Sequence, residues 1–306
     1  MAETGIDRTG ARLLAPDDLR ALAVRSDLRG GLRLAVHAAL IAAAAGLVAA
    51  TRGHWTVLPA MLLLGWLLVA LFAVVHECIH FTAFRTRRLN SIAAWAAAVP
   101  SLLDAAFYKH FHYAHHRYCQ DPARDPELMP PPPATLAAYL RRMTALNYWE
   151  ARFRIAWKVV RGDFSGFGFI PERARTEVRR SMIATFATAA GVLVAWAAID
   201  PWGPVLYWIG PVVLAQPILR AILLSEHTGC AEGDDARTNT RTTLVSWPVR
   251  LVHWNMPFHA EHHLYPSIPF HALPAAHRRM APHLAHVAHG YVPTHRAILK
   301  DLASAR

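Results

Sequence analysis

Several things that stabilise or export soluble proteins are scarce in this chain of 306 residues. It holds three cysteines, Cys78, Cys119 and Cys230. That odd, widely spaced set excludes a disulfide framework and suits a reducing compartment. Acidic residues are in deficit: 21 Asp and Glu face 32 Lys and Arg, for a formal net charge of +11. The opening MAETGIDRTGARLLAPDDLR has no apolar signal-peptide core, so the N-terminus is expected to stay in the cytoplasm. No internal repeat of solenoid type is visible.

What is present is apolar sequence in long runs. Hydrophobic residues make up 54% of the chain, and they alternate with segments rich in Arg and His. That alternation argues for an all-α, multi-pass membrane protein rather than a soluble domain. Four runs are long enough to span a bilayer: 33–51, 57–80, 181–199 and 204–224. Short links, RGHWT (52–56) and DPWG (200–203), join them into two hairpins. Basic residues collect outside the hairpins, at 85–88, along 109–180 and around 277–280. The positive-inside rule then places both termini and the central region in the cytoplasm. The same rule explains the basic charge without a nucleic-acid partner. Expected units are an N-terminal cytoplasmic segment (1–32), a membrane domain (33–280) and a cytoplasmic tail (281–306). A fifth apolar stretch, 91–103, is too short to span and reads as a re-entrant or interfacial helix. After PPPP (130–133) an interfacial helix is expected at about 134–162.

The 19 histidines are not scattered evenly. His76 and His80 lie four apart at the inner end of the second run, on one helix face. HYAHH supplies His112, His115 and His116, and HAEHH supplies His259, His262 and His263. Each H-x-x-H-H triplet, if helical, is expected to present three imidazoles to one point. His227 follows the fourth run at the same level. Eight or nine imidazoles exceed what one ion takes, and suit two ions. Imidazole binds zinc, copper, iron or nickel, so ligand type leaves the metal open. The other histidines, His37, His54, His110, His253, His271, His277, His283, His286, His289 and His295, read as ordinary hydrogen-bonded or solvated residues. HECIH (76–80) taken alone also fits an intramembrane zinc protease with Glu77 as base.

Three boxes in order, HECIH, HYAHH and HAEHH, set in HECIHFTAF, HFHYAHHRYCQDPARDPE and WNMPFHAEHHLYPSIPFHALP, resemble the membrane fatty acid desaturase superfamily. The resemblance covers about residues 55–280. It implies a helical cytoplasmic cap over the spans and two iron ions (Fe2+/Fe3+) held by His76, His80, His112, His115, His116, His259, His262 and His263. His227 matches an additional ligand. Glu77, Asp121, Asp125, Asn255 and Glu261 match residues that orient imidazoles from behind them, Asn255 through a water or a contact of that same outer kind. The implied activity is an O2-dependent oxidoreductase that desaturates a fatty acyl chain. A related hydroxylase or ketolase acting on a lipid, carotenoid or small molecule shares the same boxes. Phe72 and Trp66 are candidates for an acyl lining. The third box opens with His rather than the Gln of some front-end desaturases, and no H-P-G-G haem signature is present. Electrons are therefore expected from a separate donor, a ferredoxin or cytochrome b5-like protein, drawn by the basic face. Arginine's dominance over lysine and the high alanine content suggest a GC-rich bacterium, hence an inner membrane.

Overall fold

A computed structural model describes residues 13–304. The first twelve residues of the expected N-terminal segment and the last two of the tail lie outside the described residues. After a short helix α1 (Pro16–Leu22), the chain forms a hairpin of α2 (Asp27–Ala50) and α3 (Val57–Ile79). Ser26 caps α2 by accepting from the Arg29 amide, so this helix starts ahead of the apolar run that marks it in sequence. Helices α4 (Arg87–Ala98) and α5 (Ala105–Tyr118) follow, then α6 (Leu136–Met143) and α7 (Leu146–Val160). The single helix expected over 134–162 is broken because Ala145 takes a left-handed conformation, φ 60°. Exposed Leu140, Leu146, Phe153 and Trp157 on these two pieces suit an interfacial position.

The second hairpin is α8 (Glu172–Ile199) and α9 (Gly210–His227), with a π-helical turn at Val205–Ile209 entering α9. α8 begins nine residues before the apolar run, because its first turns are amphipathic and pack Ala174 and Val178 against Ile170 and Val159. Among the described residues four helices are long and apolar enough to cross a membrane: α2, α3, α8, and α9 with its entering turn. The remainder is short: α10 (Ala236–Asn239), α11 (Trp247–Val252), α12 (His259–Leu264), α13 (Leu273–Met280) and α14 (Tyr291–Ser304). A two-residue parallel pair, β1 (Thr242–Thr243) with β2 (Val287–Ala288), ties the last segments together.

The four spans are not equivalent. The apolar window of α3 is 61% buried and that of α9 50%, against 17% for both α2 and α8. α3 and α9 are thus the central pair, and the other two face lipid. α3 is apolar all round, as a helix enclosed on every side should be. Gly65 lets the pair close up: a Cβ there would stand 1.9 Å from the Pro211 carbonyl oxygen. Arg52 and Asp200, one in each hairpin link, pair at 2.7 Å, which places both links at one end of the bundle. The C-termini of α3 and α9, with their histidines, are therefore together at the other end.

Asp104 fixes α5 at that end. Its carboxylate caps the helix by accepting from the Phe107 amide at 2.7 Å, and it also accepts from Ser181 and Thr185 of α8. The short stretch 91–103 falls on the later part of α4 and the turn that follows; α4 packs on α3, and the Pro100 carbonyl in that turn accepts from the Trp208 indole at 2.8 Å.

Candidate metal centre

Nine imidazoles meet where α3 and α9 end. Nitrogens of His76, His80, His112, His116 and His262 lie within 4.8 Å of one another, and those of His115, His227, His259 and His263 form a second such group. Every histidine placed in the candidate set from sequence is in one of these clusters. Their arrangement differs from the expectation in one respect. Neither triplet points at a single locus. α5 sends His112 and His116 to the first cluster and His115 to the second; α12 sends His259 and His263 to the second and His262 to the first. The reason is helical pitch. At 3.6 residues per turn, i+4 lies about 40° from i on one side and i+3 about 60° on the other, so i+3 diverges from the pair.

Within the first cluster the Nε2 atoms of His112 and His116 are 2.9 Å apart, and those of His116 and His262 3.1 Å. In the second, His259 Nε2 stands 3.1 Å from Nε2 of both His227 and His263. Three converging nitrogens cannot all be satisfied by protons between them. His76 Nδ1 and Nε2, His80 Nε2 and His115 Nε2 are buried with no hydrogen-bond partner at all. Leaving such groups unpaired costs about 1–3 kcal/mol each, so the cluster is poorly explained as packing and well explained as a ligand set. An all-imidazole set of five plus four fits two transition-metal ions.

Electrostatics favour the same reading. Burial pushes His80 down to about 3. Burial, with neighbouring imidazoles, holds His112, His116, His259, His262 and His263 well below the ordinary value. Neutral imidazole is the form that binds metal. His115 is the exception: burial opposes its charged form, but Glu127 and Asp125 together raise its pKa. Both Asp125 oxygens lie 3.0 Å from His115 Nδ1, leaving Nε2 for the cluster. His227 is oriented likewise, Nδ1 toward the Asn239 carbonyl at 3.0 Å, while Gln120 binds the His227 carbonyl.

The other residues expected to orient imidazoles divide. Asp125 does so. Glu261 accepts from Thr242 and bonds His277 Nδ1, so it anchors α12 to β1 and α13 and touches none of the nine. Glu77 accepts from the Thr82 hydroxyl at 2.8 Å and the Phe270 amide at 3.2 Å, tying the end of α3 to the loop after α12. That position does not suit a protease base. Asp121 pairs with Arg124 at the surface, and Asn255 donates to the Phe270 carbonyl. Three contacts were not read from sequence. Glu226 lies 3.5 Å from His259 Nε2, Glu127 3.3 Å from His115, and the Tyr108 hydroxyl 3.4 Å from His112 Nδ1. Glu226 carried a usable signal, a carboxylate in the last turn of an apolar span.

Of the histidines read as ordinary, His37 bonds the Leu67 carbonyl and the Trp254 indole, His253 the Trp66 indole, and His295 Tyr139. Trp66 is thereby engaged away from the clusters, while Phe72 packs on Tyr108 and His76.

The family profile described as fatty acid desaturase matches residues 53–295. The chain belongs to the fatty acid desaturase family. Similar proteins within and around it include an sn-1 oleoyl-lipid 12-desaturase of Picosynechococcus, 27% identical over 57% of this chain and 51% of that protein. A human sphingolipid delta(4)-desaturase/C4-monooxygenase is 24% identical over 76% of this chain and 67% of its own length. A zeaxanthin 4-ketolase of Chlamydomonas reinhardtii is 25% identical over 74% and 46%. The chain thus spans about half to two thirds of these relatives. By name these relatives carry out more than one kind of reaction: desaturation, monooxygenation and ketolation.

Proposed function

We propose that this protein is an O2-dependent membrane di-iron desaturase that introduces a double bond into a fatty acyl chain. The observation that carries the reading is the partition of nine imidazoles into groups of five and four where the central spans α3 and α9 end. In this reading His76, His80, His112, His116 and His262 hold one iron, and His115, His227, His259 and His263 the other. A reduced iron pair supplies O2 activation and removal of hydrogen from an unactivated C–H bond.

The chain's own work is to bind, orient and keep dry. Asp125 and the Asn239 carbonyl hold His115 and His227 in the tautomer that turns Nε2 inward. Phe72 and Tyr108 give the first cluster an apolar, aromatic flank on the membrane side, against which an acyl chain can be positioned. The membrane domain of this reading runs over 33–280. Segments 1–32 and 281–306 flank it on the cytoplasmic face of an inner membrane. The histidine end of the bundle lies on that side, where a ferredoxin or cytochrome b5-like donor has access.

A related hydroxylase or ketolase is the second reading, favoured by the monooxygenase and ketolase among the relatives. Expression in a host of known lipid profile, with a ferredoxin system, separates them. Mass spectrometry of a desaturated product shows the loss of two hydrogens, and a hydroxylated one the gain of an oxygen. Purified protein is expected to carry two irons per chain; a single zinc would sink both readings.

A further inference from the structure

Outside the histidine clusters, the most unusual polar feature is a set of arginines gathered on one tyrosine. The Arg220 guanidinium, in α9, lies over the Tyr148 ring at 4.1 Å from its centroid. Arg152, one turn beyond Tyr148 on α7, stacks on the same ring at 4.9 Å and donates to its hydroxyl at 3.0 Å. Arg142 of α6 lies within electrostatic reach of Arg220 and donates to the carbonyls of Pro130 and Pro131. The Gln216 amide oxygen, turned toward Arg220, accepts from Nε and Nη2 at 3.2 Å each.

Among the described residues, no carboxylate comes within 4 Å of any of these three guanidinium groups. Arg152 Nε is buried with no partner. Neutral partners and aromatic faces orient the arginines but do not neutralise them. Ionisable residues within membrane spans are costly and mark binding or transport sites, and Arg220 is the basic residue inside this span's apolar run. Glu127, Glu226 and Asp104 act on the three arginines only from beyond ion-pair distance, so a direct anionic partner is left for a ligand to supply. The cluster also adjoins the metal centre. Tyr108, bonded to His112, lies in the electrostatic field of both Arg220 and Arg152, and Glu127, beside His115, in that of Arg142 and Arg220.

We propose that Arg142, Arg152 and Arg220, arranged on Tyr148, form a site for the anionic head of a lipid substrate, a carboxylate or a phosphate, next to the histidine clusters. The inference rests on the lipid-oxidising reading and sharpens it: the substrate is acid-headed and held by its head. A planar guanidinium set is built for two-pronged binding of either anion. Arg220 precedes His227 by seven residues, about 10 Å along the helix.

The test measures binding, without O2 or a donor, so it can fail while the oxidase reading stands. Full-length protein in neutral detergent is titrated with palmitic acid and 1-hexadecanol, and separately with phosphatidylglycerol and phosphatidylcholine. The expected result is a preference of about tenfold for the anionic member of one pair, as charge-assisted bonds give. Preference for palmitate identifies a free acid, and preference for phosphatidylglycerol identifies a phospholipid head. Arg220→Gln and Arg152→Gln should each remove the preference and Arg220→Lys keep part of it. Arg154→Gln, on the outer side of α7 and paired with Glu150, should leave it intact. Unchanged affinity for the neutral member certifies that a variant is folded, and Arg152→Gln serves alone if Arg220→Gln is not. No preference in the unaltered protein, or a preference that survives the Gln variants, overturns the proposal.

Discussion

Both carboxylate oxygens of Asp125 stand 3.0 Å from Nδ1 of His115, and the same carboxylate accepts from the Gln120 and Glu127 amides. The contact fixes the ring's tautomer and its orientation from outside the cluster. Asp125→Ala should therefore weaken iron binding at the second cluster by roughly ten- to a hundredfold, the usual effect of losing such a partner. Iron retained after dialysis against a graded chelator series measures this. Retention equal to the parent protein's would mean that His115 needs no such support.

His262 crosses from α12 to join the cluster otherwise built by α3 and α5. His262→Ala should abolish turnover and lower iron content while membrane insertion persists. His286 touches neither cluster, so His286→Ala should change little. Iron analysis beside a membrane-fraction blot reads both, and full activity in His262→Ala would remove the central assignment.

Gly65→Ala should loosen the central helix pair, since the added Cβ would meet the Pro211 backbone at 1.9 Å. Overpacking of this kind costs typically about 1–3 kcal/mol. A lowered thermal midpoint in detergent, with partial loss of iron, is the expected outcome. An unchanged midpoint would show that the two spans can separate freely.

Acid should unfold the metal-free protein. His80 is near 3 in the fold against 6.5 as a free side chain, so the unfolded chain binds the extra proton between those values. Stability is then greatest above about pH 6.5 and falls as pH is lowered toward 3. The other buried imidazoles with depressed values add to the same trend. A metal-free sample whose midpoint is flat over that range would contradict the burial.

The spans and the nine histidines were legible in the sequence because each leaves a local signature: a run of about twenty apolar residues, or imidazoles at helical spacing. What escaped was set by geometry at a distance. The apolar run marks where α8 is lipophilic, not where its amphipathic first turns begin. The break at Ala145 has no proline or glycine to announce it. Asp121 and Asp125 look alike in DPARD, yet only Asp125 is carried under His115 by the turn between them. A shared helical face is a coarse rule, and by it the spacing of each triplet predicts three imidazoles at one point. The divergence of i+3 from i+4 matters only once two foci lie side by side.

That divergence has a further consequence. α5 and α12 each serve both clusters, so the spacing of the two clusters is written into the pitch of two short helices as well as into the packing of the spans. Filling one cluster should therefore steady the helices that shape its neighbour, and the pair is expected to load as a unit, with the singly occupied protein scarce at every ratio of iron to chain. A titration resolving into two independent steps would show the helices moving apart. In ordinary loading the centre behaves as a latch with two bolts on one bar.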